Sequence, residues 1–211
     1  MNNWIERGKF PDEFPIVLRP NKQRDKAFHP SSDCLTCARV LYSQRSGEEA
    51  DWKPSLEARK SFLLGFFYHE LIYYALQDLG FSEPGDIEEK IEMELYGVPV
   101  KGHIDVSRCV IPVHGDWMVD IKTQQAMKFA KDPAGDLFEK YVAQQQMYMW
   151  LKDKEKCMIL WAEKDTPHRY KETYIERDDD AVEQVFEKWS TVIEAEKEGV
   201  PPHCTCGTCV Y

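Results

Sequence analysis

The 211-residue chain holds no apolar run long enough to span a bilayer, which argues against a membrane-spanning helix and a membrane role. Its opening stretch, MNNWIERGKFPDEF, is broken by charge and proline. It therefore lacks the charged-then-apolar order of a secretory signal, and the expected location is cytoplasmic. No glycine-rich motif of the kind that cradles a flavin or dinucleotide is present, which speaks against a redox enzyme built on such a cofactor. There is neither an internal repeat nor a low-complexity segment. Positive charge is also short: 27 Lys and Arg against 37 Asp and Glu leave a net charge of −10. That balance counts against a nucleic-acid partner but does not exclude one. The first 60 residues carry 11 basic and 9 acidic side chains, so the acidic excess lies in the remainder. A carboxylate site that binds cations would add to the negative total without repelling an anionic substrate once loaded.

What is present is the composition of an ordinary folded domain, 43% apolar and 30% charged, with enough chain to bury a substantial core. The expected organisation is a single domain over residues 1–211. It divides into an N-terminal arm with the first cysteine pair (1–52), a core (53–198) and a cysteine-bearing tail (199–211).

Periodicity places the elements. Residues 1–30 read as an extended arm, and a short helix is expected from Asp33 to about Ser43, capped by Ser31, Ser32 or Asp33. The strongest helix runs from a cap at Ser55 to a stop at Gly80. Phe62, Gly65, Phe66, His69, Ile72, Tyr73 and Leu76 recur on one face of it at three- and four-residue spacing, so all are expected to face inward. Three strands follow, EKIEMELYG, VKGHIDVSR and DWMVDIKT. A helix is expected from Ala134 to about Lys152, then strands CMILWAEK and YKETYIER. An amphipathic helix closed by Gly199 completes the set.

The strand DWMVDIKT carries Asp120 and Lys122 on one face and Val119 and Ile121 on the other, because side chains alternate along a strand. In the preceding strand Val100, Gly102, Ile104 and Val106 are expected on one face and Asp105 on the other. Asp105 and Asp120 would meet if the two strands pair antiparallel. Taken singly, each residue has a plain reading: His69 as a core histidine, Asp120 with Lys122 as a salt bridge, Gln144 and Tyr148 as helix packing. Together they make chemical sense. Two carboxylates and an imidazole suit Mg²⁺ or Mn²⁺, and an adjacent lysine can orient an attacking water or neutralise charge developing on a phosphate. Glu92 and Glu94, on the polar face of the first strand, are expected to be solvated.

GFFYH (Gly65–His69), GHID (Gly102–Asp105), DIK (Asp120–Lys122) and QQQMY (Gln144–Tyr148) stand in the chain in that order. In order and spacing they resemble the signatures of the PD-(D/E)XK nucleases, RecB-like branch. The resemblance implies a restriction-endonuclease-like α/β core, a central mixed sheet flanked by helices. It implies a divalent-metal-dependent DNA nuclease, an exonuclease acting at ends with single strands favoured. His69, Asp105, Asp120 and the backbone carbonyl of Ile121 would hold Mg²⁺ or Mn²⁺, Lys122 would position the water, and Gln144 and Tyr148 would support the site and touch the strand near the cut. DNA is the implied partner, with protein partners drawn from recombination, CRISPR adaptation or viral replication. Trp4, Phe10, Phe28 and Trp52 are candidates for stacking on bases or for packing. A different class of function, a non-catalytic nucleic-acid or protein binding module on the same scaffold, also fits the fold.

Five of the seven cysteines fall in two clusters, Cys34 with Cys37 and Cys204 with Cys206 and Cys209. In a cytosolic chain such clusters read as metal or iron-sulfur ligands before disulfides, whereas Cys109 and Cys157 lie in strand-like runs and read as core. CARVLY at Cys37 resembles the Cys-Pro-Arg-x-x-Tyr element of the CRISPR-adaptation and AddB-type nucleases, with Ala38 in place of proline. That resemblance implies a [4Fe-4S] cluster on Cys37, Cys204, Cys206 and Cys209. Pairing Cys34 and Cys37 with Cys206 and Cys209 would instead give a four-thiolate structural Zn²⁺ site, with Cys34 as the alternative ligand. Either group would tie the N-terminal region to the C-terminus.

Overall fold

The computed structural model describes residues 25–47, 55–130, 136–165, 169–204 and 206. Trp4, Phe10, Trp52 and Cys209 lie outside the described residues. Among the described residues, six α-helices and five strands follow in the order α1 (Pro30–Asp33), α2 (Ala38–Arg45), α3 (Leu56–Asp78), β1 (Ile87–Leu95), β2 (Val98–Ile111), β3 (Gly115–Gln124), α4 (Ala126–Phe129), α5 (Asp136–Leu151), β4 (Lys156–Glu163), β5 (Tyr170–Glu176) and α6 (Asp179–Glu198), with a 3-10 turn at Pro84–Asp86 before β1. The strands form one mixed sheet in sequential order, with β3 and β4 parallel and every other neighbouring pair antiparallel. A parallel pair needs a crossover, and α4 and α5 supply it. This is an α/β architecture, a central mixed sheet of five strands flanked by helices, as expected. No helix among the described residues is long and apolar enough to cross a membrane.

Both faces of the sheet are covered. Tyr68, Ile72 and Tyr73 of α3 pack on Val106, Val119 and Ile121. Tyr148 and Met149 of α5 pack on Ile104, Met118 and Ile159. A third cluster joins Phe28, Leu41, Val98, Val100 and Met147 to Val182, Val185, Phe186, Trp189 and Val192 of α6. Cys109 and Cys157 are fully buried, as their apolar surroundings in the sequence suggest.

Two glycines fix how closely the layers approach. A β-carbon on Gly65 would lie 3.2 Å from Thr123 Oγ1, so its absence lets α3 sit down on β3. A β-carbon on Gly102 would lie 3.0 and 3.1 Å from Cε1 and Cζ of Tyr148, so the glycine leaves the space that the tyrosine ring fills. The first glycine belongs to the segment that carries His69, the second to the segment that carries Asp105. Each seats a helix on the strands that bear the acidic residues.

Three local expectations need correction. The first helix is two helices, because Pro30 begins a turn of its own and the Asp33 carboxylate reaches back to the His29 N–H at 2.8 Å. Asp33 therefore closes a turn instead of opening a helix, and Cys37 stands at the N-cap of the second. Val106 does not share a cluster with Val100 and Ile104. It packs with α3, beside an irregularity in the β2–β3 register between Val106 and Cys109. Phe62 and Phe66 are 47% and 57% exposed, although helical spacing puts them in line with buried Tyr73. The side of α3 that meets the sheet is the one carrying Gly65, Tyr68 and Ile72, and Phe62 and Phe66 lie off it.

Candidate metal and active site

Helix α3 is capped by the Ser55 hydroxyl, which accepts from the Ala58 N–H, and it delivers His69 and Tyr73 one turn apart to the sheet. The His69 ring is half-buried, with Nδ1 at 3.7 Å from Asp105 Oδ2 and 3.2 Å from the Tyr73 hydroxyl. That hydroxyl donates to Glu88 Oε1 at 2.5 Å. The ligand atoms of His69, Glu88 and Asp105 all lie within 4.8 Å of one another. One imidazole and two carboxylates at that spacing fit a divalent cation of the hard-to-borderline class.

Glu88 is the residue that sequence reasoning missed. It sits near the start of β1 with φ +50°, a left-handed conformation that a glutamate rarely adopts, and the turn aims its carboxylate at the site. Alternation along the strand gives no hint of it. Glu92, which did stand on the expected polar face, is occupied by Lys90 and Lys101 at the surface.

Asp105 is placed by a break in the ladder. The paired residues of β2 and β3 begin at Val106 and Val119, and the Ile121 N–H next along donates to Asp105 Oδ2 at 2.7 Å instead of to a strand. Asp105 is raised well above the ordinary carboxylate range, first by burial and then by the charge of Asp120. His69 is lowered, by burial and then by the nearby Lys122 cation. A neutral imidazole with a free lone pair is the form that ligates a metal.

Asp120 stands outside the three-ligand group. It is almost fully buried, and the Lys122 Nζ lies 2.8 Å from its Oδ1 and 2.6 Å from its Oδ2. Burial pushes the Lys122 ammonium toward the neutral form, but Asp120 and Asp105 outweigh it and the net shift is upward. Lys122 also lies 4.9 Å over the ring of Tyr141. The expected pairing of acid and lysine on one strand face is thus present, with the lysine held as a cation.

Gln144 and Tyr148 are buried beneath these groups and bonded to each other. Burial, then Asp120 and Asp105, raises the Tyr148 phenol. The next two glutamines are also buried: Gln146 bonds Glu176 and Asp178 across the β5–α6 turn, and Gln145 accepts from Cys157. Phe28 is not a surface aromatic; it stacks on Trp189 at 4.8 Å and lies under the Arg45 guanidinium.

The cysteines form a second group. Cys37, at the start of α2, meets Cys204 and Cys206, which follow the proline pair after α6; their sulfurs lie within 4.8 Å of one another. Arg45 holds the same two helices together with two 2.9 Å bonds to Glu196. Cys34 is not in this group. It lies in the core beside Trp189, where burial pushes its thiol up to about 12.

No family model and no curated protein sequence matches this chain. Among solved structures, that of SSO0001 is similar over 82% of this chain and 78% of its own, at 20% identity and a TM-score of 0.53. A phage-related exonuclease from Haemophilus somnus 129PT is similar over 76% of this chain and 79% of its own, at 15% identity and a TM-score of 0.49. For an alkaline exonuclease from Laribacter hongkongensis the corresponding values are 82%, 89%, 17% and 0.48. What the chain shares at such identities is a fold, and exonucleases are among the structures near it.

Proposed function

We propose that this protein is a divalent-cation-dependent deoxyribonuclease that hydrolyses phosphodiester bonds from DNA ends, single strands favoured, in the manner of the RecB-like PD-(D/E)XK enzymes. The observation that carries the reading is the convergence of His69, Glu88 and Asp105 within 4.8 Å beside the buried Asp120–Lys122 pair. A binding scaffold has no use for two buried carboxylates and a cation so close together, since they cost desolvation energy and stabilise little.

His69, Glu88 and Asp105 would hold Mg²⁺ or Mn²⁺, with Asp120 and the Ile121 carbonyl alongside. When bound, the cation supplies positive charge that polarises the scissile phosphate and eases deprotonation of the attacking water. Lys122, kept protonated by Asp120, donates: it orients the water or meets charge developing on the phosphate, and it is not the base. Tyr73 fixes Glu88 and His69 by bonding both. Gln144 and Tyr148 support the floor from below, and Gly102 leaves the room the tyrosine needs.

End-labelled linear DNA tests the reading. Cleavage is expected with Mg²⁺ or Mn²⁺, none with EDTA, and none from Asp105→Asn, with single-stranded ends consumed faster than blunt duplex. An inactive native protein of intact metal content would favour a binding module.

The thiols of Cys37, Cys204 and Cys206, with Cys209 as the fourth, would suit a [4Fe-4S] cluster, a reading supported by the first three sulfurs lying within 4.8 Å of one another. Cys34, buried and bonded at its carbonyl by Lys188, is a poor fourth ligand, which weakens the zinc arrangement that needs it. Anaerobically purified protein is expected to contain iron and acid-labile sulfide with visible absorbance, all lost in Cys204→Ser. Zinc without sulfide would replace the cluster.

A further inference from the structure

Residues 59, 62, 66, 69 and 73 of α3 succeed one another by three, four, three and four positions, which places Arg59, Phe62, Phe66, His69 and Tyr73 along one stripe of the helix. The inner two are buried or half-buried and the outer three exposed. Tyr73 is 4% exposed and His69 half-buried, whereas Phe66 is 57% exposed, Phe62 is 47% exposed and Arg59 is exposed. At about 1.5 Å per residue, Phe66 lies roughly 4.5 Å along the axis from His69 and Phe62 roughly 10 Å, with Arg59 some 15 Å away. The stripe therefore begins in the metal group and runs out to solvent.

α3 also exposes Leu64, Phe67, Leu71 and Tyr74 on another side, away from this stripe. Phe62 and Phe66 are the exposed rings in line with His69; they cost apolar hydration and do nothing for the core, so their place there calls for an occupant. The helix beneath them is held firmly. Lys164 Nζ bonds the Ser61 carbonyl at 2.8 Å and its hydroxyl at 2.9 Å, Tyr68 donates to the Lys164 carbonyl at 3.1 Å, and Gly65 closes on Thr123. Arg59 adds a cation at the far end and forms no ion pair among the described residues, while Glu70 lies to one side of the stripe. Flat apolar rings at intervals, ending in a guanidinium, match a strand whose bases are unstacked and whose phosphates are charged. A duplex offers only base edges and phosphates to such a surface, so its rings would find no partner.

We infer that Phe62 and Phe66 form a stacking track that carries the bases of a single-stranded nucleic-acid end along α3 toward the metal group, with Arg59 on its backbone. This rests on the nuclease reading and adds the residues that would select a single strand. Phe62 and Phe66 are positioning residues, since neither reaches the reacting phosphate.

The test compares native protein, Phe62→Ala/Phe66→Ala and Phe62→Tyr/Phe66→Tyr on a labelled single-stranded oligonucleotide. A second oligonucleotide carries two abasic residues near one end, then near the other. The alanine pair is expected to raise KM by about 10-fold or more, with kcat altered less than about 2-fold, and the tyrosine pair to restore it. Native enzyme should lose as much on the abasic oligonucleotide, and the alanine pair should lose nothing further there. An unchanged KM in an active alanine pair, or abasic and alanine losses that add, would overturn the track. So would a dimer in sedimentation that the alanine pair dissolves without changing KM, since the stripe would then be a contact between copies. If native protein cleaves nothing, the nuclease reading fails, and fluorescence titration of the same oligonucleotide in EDTA decides the track separately: binding weakened about 10-fold in the alanine pair supports it, and equal binding refutes it.

Discussion

Lys122→Met is expected to cut DNA cleavage by about 10²–10³-fold, the usual cost of removing one charged donor from a preorganised site. It should do so with little change in KM, because an ammonium that meets charge developing only in the transition state adds little to ground-state binding. The length-matched methionine keeps the packing against Tyr141 and removes only the charge. A second effect follows from burial. The Asp120 carboxylate is 5% exposed and loses the ammonium 2.6 Å away, which leaves it buried without that partner. Breaking a buried pair in this way costs about 3–5 kcal/mol. Denaturation of the metal-free variant should therefore show a lower midpoint than native protein. A variant as active as native protein would remove Lys122 from the mechanism.

Mg²⁺ is expected to stabilise the protein, and by more as pH rises. Asp105 is held above its unfolded value by burial and by Asp120. A carboxyl raised in this sense contributes stability that is fully present below its unfolded pKa and is lost as pH climbs through the folded one. Metal-free protein should accordingly lose stability on passing from acid to alkaline solution. The cation needs Asp105 ionised and relieves its repulsion with Asp120, so it restores what alkaline pH removes. Thermal melts with Mg²⁺ and with EDTA, taken from about pH 5 to about pH 9, should show a difference in Tm that widens upward. In Asp105→Asn the melting temperature should be nearly independent of Mg²⁺ and flatter with pH. A cation effect that shrank as pH rose would exclude Asp105 as a ligand.

Much of this was legible in the chain itself. The α3 cap at Ser55, the αL stop of α6 at Gly199 with φ +68°, and the alternation of Asp120 and Lys122 against Val119 and Ile121 depend on residues near one another in sequence. Local stereochemistry is enough to decide them. The order of the motifs also indicated which elements had to meet, and the two motif glycines proved to be close-approach positions, against Thr123 and Tyr148.

Other features depended on contacts that local pattern does not encode. Glu88 enters the site through a left-handed backbone angle near the start of β1, and Asp105 through an interrupted ladder that leaves the Ile121 N–H for its carboxylate. Neither irregularity follows from a period of two. Asp120 pairs with Lys122 at 2.6 Å, a contact that alternation along the strand permits but does not fix. Phe62 and Phe66 carry the same helical period as Tyr73 yet lie exposed, since a period says which residues share a face and not what packs against it. The sequence by itself determined most of the elements, the Ser55 cap of α3, the Gly199 stop of α6 and the residue types gathered for the site. Only the tertiary structure decided which carboxylates stand beside His69, because that choice rests on one left-handed backbone angle and on where two strands part.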